Sequence, residues 1–244
     1  MTSGRILSIE TMGLVDGPGI RVVIFFQGCS LRCKYCHNPD SWDMSGGELT
    51  DTDTLMDKIR RFRPYFERSG GGVTFSGGEP LLQKEFLLEL LKACKAEGIH
   101  TCIDTAGVGD GDYDEILKYT DLVLFDVKAL NFTEYKKLCG GDMNRADAFI
   151  DALAKNRVDT VVRQVVVPDV NDSEEYMQCL AEYIKQKLPT AVKVELLPYH
   201  KLGAHKYEKL GIPDPYRDKA AMDKDKTEAL YEKYFKGIME ERKM

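Results

Sequence analysis

The sequence predicts an α/β protein built on a parallel sheet. Six short β-branched or aromatic runs alternate with stretches of helical periodicity. The runs are apolar almost throughout, as expected of strands covered on both faces. The unusual polar residues fall just after the runs, where the strand C-termini of a parallel sheet gather active-site loops.

The elements follow in chain order. "RVVIFFQ" (21–27) reads as a buried strand, and "TDTDTLMDKIRRFRPYF" as a helix ending near Pro64. "GGVTFSG" is the second strand. "LLQKEFLLELLKACKAEG" is a helix with Leu87, Leu90, Leu91 and Cys94 on one face, and Gly98 stands where a C-terminal cap belongs. "IHTCIDT" is the third strand, "YDEILKY" a short helix and "LVLFDV" the fourth strand. "FTEYKKLC" and "RADAFIDALAKN" are helical, and "TVVRQVVV" is the fifth strand. A helix is expected from about Ser173 to Lys187, "VKVELLPY" is the sixth strand, and a last helix lies near Asp223 to Glu240. Periodicity alone does not choose between an open doubly wound sheet and a partial barrel. No linker or low-complexity segment interrupts the 244 residues, and one domain spanning 1–244 is expected.

Apolar residues make up 43% and charged residues 30%, enough for a sizeable core. The net charge of −6 and the lack of a long basic run argue against nucleic acid as a partner. The N-terminus carries no secretory pattern, and no run approaches the roughly 18 apolar residues of a membrane span. A cytoplasmic location away from membranes is therefore expected. There the seven cysteines should be ligands or buried thiols rather than disulfides.

Three of those cysteines, Cys29, Cys33 and Cys36, fall within "GCSLRCKYCHNPDSW" (28–42), with His37 directly after the last. Cys33 to His37 spells C-x-x-C-H, a haem-attachment pattern, but leaves Cys29 unused and lacks an export signal. Three cysteines with His37 would make a Cys3His zinc set, although His37 lies unusually close to Cys36 and no second C-x2-C pair follows. Chance clustering of buried cysteines is a poor explanation of so tight a spacing. A four-iron–four-sulfur cluster held by three thiolates would leave one iron open to a small-molecule chelator.

Cys29-x3-Cys33-x2-Cys36, with Tyr35 before the last cysteine, resembles the radical S-adenosylmethionine (SAM) superfamily. "GPGIRVVIFFQGCSLRCKYCHNPDSW", "GGVTFSGGEPLLQ" and "ELLPYHKLGAHKY" resemble its glycyl-radical-activating group, over Asp16 to about Tyr207. The resemblance implies a partial (β/α)6 barrel of radical SAM type with a C-terminal helix. It implies a cluster on Cys29, Cys33 and Cys36, with SAM chelating the open iron. Reductive cleavage of SAM would then yield a radical that takes a hydrogen atom from one glycine of a partner enzyme. No cysteine stands between Cys36 and Cys94, where many relatives with other partners carry a ferredoxin-like insert. The implied partner is therefore pyruvate formate-lyase, the electron donor a flavodoxin or ferredoxin, and the working state a monomer. Activation of another glycyl-radical enzyme, or radical chemistry on a small molecule, is the alternative within the superfamily; a zinc-bound interaction module is the alternative outside it.

The same resemblance assigns roles residue by residue. Tyr35 and His37 would flank SAM, with Tyr35 near the adenine. "SGGEP" supplies Gly77, Gly78 and Glu79 for its amino group; glycines let backbone approach a ligand closely. Asp126, Val127 and Lys128 match a stretch that contacts the carboxylate and ribose region. His200 of "PYH" would reach the ribose or adenine side. Asp104, Thr105 and Asp126 would help hold a monovalent cation. Asp16 belongs to a loop expected to meet the glycine-bearing peptide, although Asp-Gly is also a turn signal by itself. Tyr207 stands where well-known members carry Trp. Cys94, Cys102, Cys139 and Cys179 show no ligand spacing and read as buried small hydrophobes.

Overall fold

The structure is a computed structural model that describes residues 2–241. Its strands are β1 (Ser3–Gly13), β2 (Arg21–Phe26), β3 (Glu48–Asp51), β4 (Gly72–Gly77), β5 (His100–Thr105), β6 (Leu122–Asp126), β7 (Thr160–Val166) and β8 (Ala191–Pro198). Its helices are α1 (Thr52–Arg60), α2 (Arg63–Ser69), α3 (Lys84–Ala96), α4 (Asp114–Lys118), α5 (Phe132–Cys139), α6 (Met143–Asn156), α7 (Glu174–Lys187), α8 (Ala204–Leu210), α9 (Lys224–Tyr234) and α10 (Lys236–Glu241). The strands form one sheet in the order β3-β1-β2-β4-β5-β6-β7-β8. The six predicted strands, β2 and β4 to β8, are parallel neighbours throughout.

That order decides between the two architectures. Each crossover leads to the next strand in the same direction. Right-handed crossovers of this kind put every connecting helix on one face, and the sheet curls with its helices outside. A doubly wound sheet would reverse direction midway. The chain is thus a partial (β/α)6 barrel, extended at one edge by antiparallel β1 and β3.

Alternation along the strands separates two faces. Val22, Ile24, Phe26, Val73, Phe75, Ile103, Val123, Phe125 and Val162 join helix residues such as Leu87, Leu90, Phe149 and Leu153 in the main core. The alternate residues Cys102, Leu122, Leu124 and Val161 form a separate small cluster. Further along the same inner face, toward the strand C-termini, stand Ser76, Asp104, Asp126 and Arg163. The barrel interior is therefore apolar at its floor and polar at its rim.

Several boundaries differ from expectation. The helix read as ending near Pro64 is two helices, because α1 stops at Arg60 and Pro64 sits in the first turn of α2. A first turn lacks N–H acceptors for its amides, so proline costs nothing there. The last helix divides into α9 and α10 around Phe235. β1, β3 and α8 were not legible: β1 is a half-exposed strand near the sheet edge with no apolar run. Gly98 does follow α3 in the left-handed conformation of a C-terminal cap. Cys94, Cys102 and Cys139 are buried, but Cys179 is exposed on α7, contrary to expectation. Among the described residues no helix is long and apolar enough to cross a membrane.

Candidate active site

The cysteine loop leaves β2 through Gly28, which takes a left-handed φ of 97° and donates its N–H to the Ser41 carbonyl (2.8 Å). Gln27 braces the far side of the loop, its amide donating to the carbonyls of Asp40 (3.0 Å) and Asp43 (2.8 Å). The middle of the loop lies along the end of α5. Arg32 N–H donates to the Cys139 carbonyl (2.8 Å) and Lys34 N–H to the Leu138 carbonyl (3.0 Å). Cys36 N–H closes a turn onto the Cys33 carbonyl (3.0 Å), and Asn38 N–H donates to Cys36 Sγ (3.4 Å).

So held, Cys29, Cys33 and Cys36 all line a cavity of about 240 Å³ at the barrel rim. Tyr35, His37, Gly77, Gly78, Asp104, Thr105, Asp126 and Lys128 line it too. Burial pushes the Cys29 thiol up to about 12 and the Cys36 thiol up to about 11. Without a metal these sulfurs keep their protons at neutral pH, and binding iron would displace them. The buried Tyr35 hydroxyl has no hydrogen-bond partner among the described residues. Three soft donors at one polar cavity fit an iron–sulfur cluster. A Cys3His zinc site is not formed: His37 donates Nε2–H to the His200 carbonyl (2.7 Å), and among the described residues no three His, Cys, Asp or Glu side chains gather for one ion.

Gly77 and Gly78 are needed for backbone packing as well as for the cavity. Gly77 has φ 111°, and a Cβ there would collide with the Phe26 backbone; one on Gly78 would strike the Gly28 carbonyl. Their smallness presses the turn after β4 against the turn after β2, so both loops meet one cavity.

Glu79 does not line the cavity. It is 1% exposed and turned inward, accepting from Thr105 Oγ1 (2.5 Å), Ala106 N (3.1 Å) and Leu81 N (3.2 Å). Burial raises its pKa, and these hydrogen bonds oppose the rise. It is a strut between the turns after β4 and β5, not a direct cofactor contact. Thr105 lines the cavity, but its hydroxyl is committed to Glu79 and to Gly107 N (2.8 Å). Val127 is buried in the core, its N–H donating to the Arg163 carbonyl (2.9 Å), so its side chain also points away.

The charged groups on the rim are interlocked. Asp104 accepts from Ser76 Oγ (2.8 Å) and pairs with Arg163 (3.6 Å); burial pushes it up to about 6 against the pull of that guanidinium. Lys128 pairs with Asp126 (3.0 Å) and lies 5.6 Å from the centre of the Tyr35 ring. His200 is exposed and does not line the cavity. Its ring stacks on that of His37, with the centroids 4.0 Å apart. Burial lowers the His37 pKa and favours the neutral ring. Tyr207 is buried and donates to the Cys36 carbonyl (2.9 Å), which gives the departure at this position a local role.

Asp16 lies elsewhere, on a larger cavity of about 1140 Å³ inside the barrel. The two cavities adjoin, since Arg163 and Leu197 line both. The Asp16 loop is tied down from two sides. Thr74 Oγ1 donates to the Asp16 carbonyl (2.6 Å) and Arg21 to the Pro18 carbonyl (3.1 Å), while Arg163 donates to the Val15 carbonyl (2.6 Å). Burial raises the Asp16 pKa, with Arg163 and Arg21 opposing. Arg163 was not singled out from sequence, although a lone arginine within "TVVRQVVV" was its signal.

Fold and site together define a partial-barrel α/β protein whose three-cysteine loop opens on a polar rim cavity. The Radical SAM superfamily model matches residues 23–180. The chain is 56% identical to a pyruvate formate-lyase-activating enzyme of Clostridium pasteurianum, over 98% of this chain and 100% of that one. It is 46% identical to the pyruvate formate-lyase 1-activating enzyme of Escherichia coli K12, over 85% of each chain. A crystal structure of a domain of pyruvate-formate lyase-activating enzyme from Bacteroides vulgatus shares the fold, with TM-score 0.54, 24% identity, and coverage of 71% of this chain and 96% of that chain. The chain belongs to the radical SAM superfamily and, within it, to the pyruvate formate-lyase-activating enzymes. It is an enzyme, and its superfamily implies a four-iron–four-sulfur cluster and SAM.

Proposed function

We propose that the chain generates the glycyl radical of pyruvate formate-lyase, with Cys29, Cys33 and Cys36 holding the cluster and one iron left open for SAM. The cluster and SAM, when bound, supply a one-electron cleavage and a carbon radical able to take a glycine hydrogen atom. The chain's own residues bind and orient. The Gly77 and Gly78 turn offers backbone acceptors to the amino group of SAM, Lys128 neutralises its carboxylate, and Tyr35 and His37 flank the rest. Asp104 and Asp126 present carboxylate oxygens to a monovalent cation.

The observation that carries the reading is the shared wall. Arg163 and Leu197 separate the rim cavity from the larger one that holds Asp16, so a peptide seated there would lie beside the cysteine loop. Near contact is what hydrogen-atom transfer requires. A monomeric single domain, a cytoplasmic location without membrane or nucleic acid, and a flavodoxin or ferredoxin as donor belong to the same proposal.

The test is anaerobic incubation of the iron-loaded, reduced protein with SAM and pyruvate formate-lyase. A glycyl radical signal in electron paramagnetic resonance is expected. SAM cleavage without that signal would direct the activity to another glycyl-radical enzyme or a small molecule, and protein carrying zinc without iron and sulfide would overturn the reading altogether.

A further inference from the structure

Arg32 and Lys34 stand on either side of Cys33, and each has a lysine of α5 beside it. Arg32 N–H donates to the Cys139 carbonyl (2.8 Å) and Lys34 N–H to the Leu138 carbonyl (3.0 Å), so the loop runs along the end of the helix. On one flank, a Cβ on Gly140, which caps α5, would lie 3.9 Å from Arg32 Cβ. Lys136 is four residues before Gly140 and so shares its helix face. On the other flank, Lys34 and Lys137 line one groove of about 210 Å³. Two carboxylates face that groove, Glu134 and Asp169, and Asp169 pairs with Lys219 (3.4 Å). Arg32, Lys136 and Lys137 are exposed and Lys34 is half-buried. Among the described residues none of these four side chains has a carboxylate within ion-pair distance. Arg32 instead donates to the Cys29 and Leu31 carbonyls (2.7 Å each) and lies 5.0 Å from the centre of the Trp42 ring. The negative end of the α5 dipole accounts for Lys136 and Lys137, but not for the two cations on the loop. Cys33 lines the rim cavity, whereas Arg32 and Lys34 do not.

We propose that this basic face is the docking surface for the electron donor, an acidic protein carrying a one-electron reductant. The inference rests on the reading of Cys33 as a cluster ligand. One electron leaves the reduced donor and enters the oxidised cluster, and no bond forms or breaks in the transfer. The loop cations are chain neighbours of Cys33, so a donor seated on them lies against the loop that holds the cluster. The chain as a whole carries −6 and repels an acidic partner. A local patch of unpaired cations therefore selects one orientation of approach.

Flavodoxin, an acidic flavoprotein, is the probe. Its binding to the iron-loaded full chain is measured by anaerobic calorimetry at low and at physiological salt. Wild type is compared with Lys136→Glu/Lys137→Glu and with Lys58→Glu/Arg61→Glu. The second pair changes net charge equally but lies exposed at the end of α1, which packs on α3 and β3. Wild-type binding should weaken with salt. Reversing the two α5 charges should weaken it about tenfold, and the α1 variant should bind as wild type does. Lys136→Gln/Lys137→Gln, which removes charge without reversing it, should give a smaller shift. Methionine release from SAM is then driven by reduced flavodoxin or by photoreduced deazaflavin, a small donor that needs no docking surface. The α5 reversal should raise the flavodoxin concentration for half-maximal release and leave the deazaflavin-driven rate unchanged. Wild-type affinity in the α5 reversal, or equal weakening by the α1 variant, would overturn the proposal alone. Wild-type protein that takes up no iron and sulfide would overturn the ligand reading as well.

Discussion

Glu79 shows how a motif residue serves a site without touching it. Its carboxylate is buried and receives donors from both the turn it starts and the turn after β5. Removing it strands those donors in a dry interior, and each unsatisfied buried group costs about 1–3 kcal/mol. Glu79→Ala should therefore lower unfolding free energy by about 3 kcal/mol, read by urea denaturation, and Glu79→Gln, which keeps an acceptor for Thr105, by less. If Glu79 served only as a cofactor contact, neither variant would move the denaturation midpoint. The cysteines were legible because their spacing is local. The inward turn of Glu79 and the commitment of the Thr105 hydroxyl were not, because each depends on a partner far away in the sequence.

At the scale of elements, the strands and most helices were legible from apolar runs, periodicity and caps, whereas β1 and β3 were not, being too polar to signal a strand. Nor was the buried network that locks the Asp16 loop to β2, β4 and β5. Arg21 is fully buried at the start of β2, donating to Thr74 Oγ1 (2.5 Å) and the Pro18 carbonyl, with the His100 ring 3.4 Å from it. Burial first, and then the Arg21 charge, lower the His100 pKa below 6.5. The unfolded chain therefore takes up this proton at a higher pH than the folded one. Stability rises with pH between the folded pKa and 6.5, and is lost as pH falls through that window. The His100 contribution lowers the urea midpoint on going from about pH 7 to about pH 5, while the raised carboxyls of Asp16, Glu79 and Asp104 act in the opposite direction. The pH profiles of wild type and His100→Gln should therefore differ by the His100 contribution. His37 shifts in the same direction, so a residual slope is expected in the variant. A profile unchanged by His100→Gln would show that the strand-start network does not sense the proton.

For the whole molecule, the sheet order leaves β8 unpaired with β3, so the barrel has an open side. The loop carrying Asp16 stands at the larger cavity together with residues of β8 and α9, and its Leu14 and Val15 are 71% and 78% exposed. Two adjacent apolar side chains held out on a loop that Arg21 and Arg163 tie down form a rigid apolar lip. A partner's glycine loop entering the cavity would cover it. Asp16, deeper in the same cavity, would act on the peptide once it is inside; Asp16→Asn should leave slow SAM cleavage without partner unchanged while slowing radical formation on the partner. The lip should act earlier, in binding. Burying one leucine side chain contributes about 1.5–3 kcal/mol, and about 1.4 kcal/mol is a factor of ten in affinity. Leu14→Ser should thus raise the partner concentration needed for half-maximal activation about tenfold, with the rate at saturating partner and the partner-free cleavage of SAM preserved. Initial rates of glycyl radical formation across a partner titration measure both quantities. A lowered saturating rate with unchanged half-saturation would place Leu14 in the chemistry rather than in docking, and the lip would lose its role.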